Sequence, residues 1–300
     1  MYWPKLKVAG KWLSGAIALL LAVGIGLGNP APALAGPFQQ GITAVQAQHY
    51  EAAVQAFTTA IAQDDHVSAA YGNRCLVHLW TDHLEQALAD CSTVIEQEAH
   101  PSQAHLNRGI AHYRLGHYAQ AQADFTHHLK HWPEAGLAYY NRGLAEFALG
   151  DVATAIADYQ AALSRDDTLT GLAQANVYND LGIAYLSQFK SEIAIAYLAQ
   201  AVFLNQDDPR AYFNYGCACH HQGDDLAALA SFEQVLALDP THAETYLNRA
   251  MVRGELGDQA GAIADLHQAE HYFQQQGDTS QANQTRALLI RFQRPAIAIG

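Results

Sequence analysis

The sequence predicts an all-α solenoid, an array of repeated units in place of one globular core. Two observations carry the prediction: an internal period of 34 residues, and small and aromatic residues that recur at fixed offsets within it. Asn-Arg occurs at 73–74, 107–108 and 141–142, and again at 248–249. With the first of these set at repeat position 6, glycine falls at position 15 in Gly116, Gly150, Gly223 and Gly257. Alanine falls at position 20 in Ala53, Ala87, Ala121, Ala155, Ala194, Ala228 and Ala262, and an aromatic at position 24 in Phe57, Phe125, Tyr159 and Phe232. Small residues at positions 8 and 20 let two helices approach closely, and the aromatic at 24 fills the space beside them.

Composition agrees with a packed chain. Of 300 residues, 50% are hydrophobic and 15% charged, which excludes a disordered polymer. Sixteen Lys and Arg against 29 Asp and Glu give a net charge of −13, which argues against a nucleic-acid partner, since a polyanion needs basic groups to neutralise its phosphates.

Residues 1–35 read as an address. Lys5, Lys7 and Lys11 precede an apolar run from Trp12 to Gly28; Asn29-Pro30 then breaks the helix, and Ala33-Leu34-Ala35 offers small residues at a cleavage site. Cleavage after Ala35 is the expectation, with an uncleaved membrane anchor through residues 12–28 as the alternative. Cleavage removes three lysines and no acids, leaving 13 basic and 29 acidic residues, a charge of −16. After cleavage no membrane insertion is expected, and export makes the cysteines candidates for disulfides.

The best single unit runs from Ala138 to Asp151, Ala-Tyr-Tyr-Asn-Arg-Gly-Leu-Ala-Glu-Phe-Ala-Leu-Gly-Asp, followed by Ala-Ile-Ala-Asp-Tyr from Ala155 to Tyr159. These residues resemble the tetratricopeptide repeat (TPR) family, whose unit is two antiparallel helices. The resemblance implies seven helix-turn-helix units within a TPR array at 36–276: 34–67, 68–101, 102–135, 136–169, 175–208, 209–242 and 243–276. The first helix is expected to start at Pro37, a favourable first-turn residue. Between units four and five the register slips by five residues, an insert at 170–174, around Asp166 to Leu172, read as a longer turn or an extended helix. Gln281 to Phe292 reads as an amphipathic helix within a capping segment, 277–300, that covers the last unit.

Comparison of repeats within the chain exposes a polar seam. The four units with Asn-Arg at positions 6 and 7 all carry aspartate at position 23: Arg74 with Asp90, Arg108 with Asp124, Arg142 with Asp158, Arg249 with Asp265. The other three have Ala56, Tyr197 and Ser231 there, so an ion pair between the two helices of each Arg-bearing unit is expected. Position 11, one turn after the arginine, extends the seam with His78, His112, Glu146 and Arg253.

In TPR structures the first helix of each unit lines a concave face that holds peptides or partner helices. The resemblance transfers that role to Leu76, Leu79, Trp80, Leu106, Ile110, Tyr113, Leu137, Tyr140, Leu144, Phe147, Ile183 and Leu186, an apolar lining for a protein partner. Position 12 and part of position 9 have an alternative, packing against the next unit. A clamp for a C-terminal carboxylate is not expected, because the Lys and Asn positions that build it are apolar here.

Cys75 and Cys91 face each other at positions 8 and 24 of the second unit, either as a disulfide or as two small buried thiols. Cys217, His220 and His221 share one helix face, with Met251 and Glu255 in the next unit, and form a candidate zinc or copper site against a reading as plain groove polarity. His127 and His131, four apart, make a second two-histidine face. There is no metalloprotease His-Glu-x-x-His, no Gly-x-Ser-x-Gly and no phosphate-cradling loop, so neither an enzyme nor a cofactor is expected. The expected role is a non-catalytic adaptor, scaffold or assembly factor, with a metal-delivery factor on the same solenoid as the alternative. The Asn-Arg-Gly repeats are similar to TPR arrays abundant in cyanobacteria, which implies export to periplasm or thylakoid lumen.

Overall fold

The computed structural model describes residues 36–98, 101–165 and 171–293. The candidate signal segment lies outside them. The described residues form fifteen helices and no strand, in two compact units whose boundary falls after residue 169, at the slip of register.

The first unit holds α1 (Pro37–Gln46), α2 (Tyr50–Ala62), α3 (Val67–Trp80), α4 (Leu84–Gln97), α5 (Ser102–Arg114), α6 (Tyr118–His131), α7 (Gly136–Leu149) and α8 (Val152–Arg165). Each helix packs on its neighbours in sequence, and α3, α5 and α7 also touch in turn. The second unit holds α9 (Leu172–Ser187), α10 (Ser191–Leu204), α11 (Pro209–Gln222), α12 (Asp225–Leu238), α13 (Ala243–Glu255), α14 (Gln259–Gln275) and α15 (Thr279–Gln293), with α9, α11 and α13 adjacent in the same way. Pro37 opens α1 as expected. Insert residues 172–174 form the first turn of α9, which at 16 residues is longer than the other first helices; residue 170 lies outside the described residues.

The recurring residues explain the packing. All seven position-20 alanines are fully buried. Position 8 is glycine where position 24 is aromatic, and the contact between them is close: a methyl on Gly109 would lie 2.6 Å from the ring of Phe125, and one on Gly216 2.8 Å from that of Phe232. Gly41 with Phe57 and Gly182 with Leu198 repeat the arrangement. Full burial of such a ring contributes about 2–3 kcal/mol, so each helix pair is fastened at this point. In α3 and α4 the pair is Cys75 and Cys91, joined as a disulfide with an S–S distance of 2.10 Å. The bridge stands where four other helix pairs place a ring against a glycine and two place a leucine against a small residue.

The four expected Arg–Asp pairs all form, each bidentate. Arg74 donates to both oxygens of Asp90 at 2.7 Å, and Arg108–Asp124, Arg142–Asp158 and Arg249–Asp265 repeat the geometry within 2.6–2.9 Å. The aspartates are buried, and two parallel charge-assisted bonds compensate their desolvation. Each arginine of the first unit also reaches back to the preceding repeat: Nη1 donates to Thr58, Ser92 and Thr126 from Arg74, Arg108 and Arg142 respectively. The seam therefore ties repeats together as well as helices within a repeat. In α9 and α10, where the ion pair is missing, Tyr197 stacks between Tyr178 and Tyr185.

The cap also forms. Helix α15 packs on α14, burying Ala282, Thr285 and Leu289, and the ring of Phe292 covers Gly254.

Candidate functional site

The structure separates the twelve first-helix residues into two sets. Leu79, Leu106, Ile110, Tyr113, Tyr140 and Leu144 are buried, Tyr140 with only 1% of its surface exposed. They belong to the interior and not to an open lining. Helices α5 and α7 are buried on several faces at once, so their apolar positions 5 and 9 are consumed by packing, as is position 12 of α5. Leu76, Trp80, Leu137 and Phe147 in the first unit, and Ile183 and Leu186 in the second, are half-buried. Trp80 leans on Tyr50 with ring centroids 5.7 Å apart, and Leu186 packs beside Ala194 and Leu198.

A second apolar feature lies on the turns between paired helices. Every first helix of the seven repeats ends with position 15 in left-handed backbone, and the amide of position 16 donates to the carbonyl of position 11, as in Asp151 to Glu146 and Asp258 to Arg253. This closure favours glycine, which takes a positive φ without a Cβ clash. Gly116, Gly150, Gly223 and Gly257 meet the requirement; Gln48, Asp82 and Phe189 take it with side chains, Phe189 at φ 60°. Phe189 is 88% exposed. Leu226, 74% exposed, opens α12, Leu256 ends α13 and Ile193 lies in the first turn of α10, all exposed at the corresponding turns of the second unit. These residues lie outside the first-helix positions that the repeat pattern singles out. The signal was present in Phe189, an aromatic at a position where four repeats carry glycine.

The cysteine and histidine candidates resolve differently from expectation. Cys217 sits in an apolar cluster with Phe232 and Val252, burial pushes its thiol up to about 12, and its Sγ accepts a bond from Asn248 at 3.5 Å. His220 instead meets two carboxylates: its Nδ1 lies 2.6 Å from Asp225 Oδ1, and one donor atom each from His220, Asp225 and Glu255 falls within 4.8 Å of the others. Neither Cys217 nor His221 joins that group. His127 stacks on His105 with ring centroids 3.8 Å apart, and His105 Nδ1 lies 2.8 Å from Asp124, which draws these rings into the seam. Among the described residues no helix is long and apolar enough to cross a membrane.

Comparison with known proteins places the repeats. A family model described as "Tetratricopeptide repeat" matches residues 106–169 and 179–243. Tetratricopeptide repeat protein 36 of Danio rerio is 38% identical over 77 residues, which span 25% of this chain and 41% of that protein. Among solved structures, a tetratricopeptide repeat protein from Parabacteroides merdae superposes with a TM-score of 0.63 at 16% identity, covering 83% of this chain and 97% of its own. YrrB, described as a TPR protein with an unusual peptide-binding site, superposes with a TM-score of 0.53 at 22% identity over 66% of this chain and 97% of its own. At these identities the structural matches speak to the fold.

Proposed function

We propose, from the premise that the chain belongs to the tetratricopeptide repeat family, that it is an exported, non-catalytic adaptor or assembly factor that holds a protein partner by apolar side chains. Proteins of this family generally mediate protein–protein interaction, and YrrB carries a peptide-binding site. The observation that carries the reading here is Phe189. An aromatic in left-handed backbone bears a strain on the order of 1–2 kcal/mol, and its exposure returns no burial energy to offset it. Strained, exposed apolar residues concentrate where a partner will cover them. Phe189 with Ile193, Leu226 and Leu256 provides the anchors on the second unit, and the half-buried first-helix residues provide a second lining.

Export rests on the three-part layout of residues 1–35, with periplasm or thylakoid lumen as the compartment. Affinity capture of the chain from its native compartment tests both parts. The captured protein is expected to begin at Gly36, and Phe189→Ser is expected to lose the partner while keeping the helical signal and unfolding midpoint of the parent. A partner retained by Phe189→Ser but lost by Phe147→Ser would move the binding face to the first helices. Retention by both would remove the apolar-anchor reading.

A further inference from the structure

The turns of the last two repeats gather three metal-ligating side chains from three helices. His220 stands in the last turn of α11, Asp225 is the first residue of α12, and Glu255 is the last residue of α13. Their convergence follows from the turn closure: the chain reverses at Gly223, so Asp225 returns beside His220, and the adjacent α13 brings Glu255 to the same edge. We propose that His220, Asp225 and Glu255 bind one divalent transition-metal ion, zinc by its ligand chemistry, and so join the sixth and seventh repeats.

The ligand set fits that ion. Zinc takes imidazole nitrogen and carboxylate oxygen at about 2.0–2.2 Å in tetrahedral sites, which spaces the donors about 3.4 Å apart. Donor atoms already within 4.8 Å of one another reach this spacing by side-chain rotation, without movement of the helices. The short contact between His220 and Asp225 opens as the ion enters between them. One imidazole with two carboxylates is a poor set for calcium, which takes six to eight oxygens, or for magnesium, which keeps an octahedral oxygen shell.

The surroundings favour a cation. Asp224 and Asp258 flank the turns, each with an oxygen engaged by the amide at the start of the following helix. The nearby positive group, Arg253, is committed to Asp265 at 2.8 Å and lies 3.7 Å from Asp258. Glu255 is exposed and the other two ligands half-buried, so the ion has a path in and water can hold the fourth position. Two ligands adjoin apolar anchors in the chain, Asp225 beside Leu226 and Glu255 beside Leu256; the zinc titration reads the site with no protein partner present, so its outcome is independent of the protein-binding reading.

Isothermal titration of zinc chloride into the purified full chain at neutral pH, with magnesium chloride as the parallel titration, tests the proposal. One zinc per chain at micromolar affinity and no magnesium binding are expected. Glu255→Gln and His220→Ala should each weaken zinc at least tenfold, while Cys217→Ser leaves it unchanged. Glu255 is an exposed helix-end residue, so Glu255→Gln decides the matter if His220→Ala fails to fold by circular dichroism. Absence of zinc binding, magnesium binding of equal strength, or undiminished zinc affinity in Glu255→Gln would each overturn the proposal, the last assigning the ion to other histidines.

Discussion

Glu146 is a carboxyl whose surroundings oppose its charge. It is 2% exposed, Asp158 lies in the same seam, and Oε2 has no hydrogen-bond partner, while Oε1 accepts from Gln122 at 3.3 Å and lies 3.8 Å from Arg142. Burial first, then repulsion from Asp158 and more weakly Asp151, pushes its pKa up to about 7, against the partial relief given by Gln122 and Arg142. The folded state thus holds a proton that the unfolded chain has released. Its contribution to stability is present below the ordinary carboxyl range near 4.5 and is lost as pH rises through about 7. Half-buried His78 and His112 and buried His128 are held below the usual histidine value, chiefly by desolvation, and have the opposite sign: their contribution is lost as pH falls below that value. Comparing wild type and Glu146→Gln at a single pH cancels the histidines. A neutral amide keeps an oxygen for Gln122, so the variant should be more stable at pH 8 by on the order of 2–3 kcal/mol and nearly equal to wild type at pH 5. Urea unfolding at the two values checks this; a difference independent of pH would show that the carboxyl's charge is not its cause.

At the scale of the helix pair, α3 and α4 solve with a covalent bond the problem that other pairs solve with a ring. The prediction follows from that substitution of roles. A closed loop of this length contributes about 3 kcal/mol through the unfolded chain, whereas a buried ring on glycine contributes about 2–3 kcal/mol by burial and gives back roughly 1 kcal/mol for glycine within a helix. Cys75→Gly with Cys91→Phe should therefore fold, unfold below the oxidised parent by about 1–2 kcal/mol, and be indifferent to reductant. Cys91→Ala, left with neither ring nor bridge, should fall about 1–2 kcal/mol lower than the double variant. Thermal unfolding without reductant ranks the three, and a double variant no more stable than Cys91→Ala would mean that the ring cannot enter this pair. The elements themselves were legible because repetition supplied its own controls: arginine at position 7 appears with aspartate at position 23 and disappears with it, which fixes a contact between helices from one sequence. The bonds to Thr58, Ser92 and Thr126 left a trace, a short hydroxyl residue at one position of three successive repeats, each followed by an arginine-bearing repeat, but a hydroxyl on a helix does not name its partner. Six of the twelve lining residues fell to the interior for a related reason. An apolar residue at position 5 or 9 looks the same whether water or a neighbouring helix covers it, and Tyr140 and Ile110 are covered by protein. His220 was singled out, but its carboxylate Asp225 arrives through a turn five residues later, a spacing that helix periodicity excludes.

For the molecule as a whole, stacking implies that a repeat is stabilised chiefly by its neighbours, and that the terminal repeat needs a surrogate. Helix α15 supplies one. It covers apolar residues of α13 and α14: Ala282 joins Ala243, Ala269 and Phe273, while Leu289, with Leu288 and Phe292, joins Ala250, Ala262 and Leu266. Its polar groups add Arg286 to Glu270 at 2.7 Å and Gln259 to the Phe292 carbonyl. Placement of Phe292 over Gly254 explains why the seventh repeat carries glycine at that position: a methyl there would strike the ring. A chain ending at Gln276 keeps all seven repeats and loses this cover. Re-exposure of Leu289, Phe292 and the alanines they meet should cost about 3–5 kcal/mol, and nearest-neighbour coupling confines most of the cost to the end of the second unit. Hydrogen exchange is the deciding measurement. Protection should fall in α14 and α13 and recover within one or two helices toward α9, with Gly254→Ala in the full chain giving a weaker version of the same profile, because the displaced ring loosens the cap without removing it. Unchanged protection in α13 and α14 after truncation would mean that α15 is an appendage, and that the second unit closes its own core.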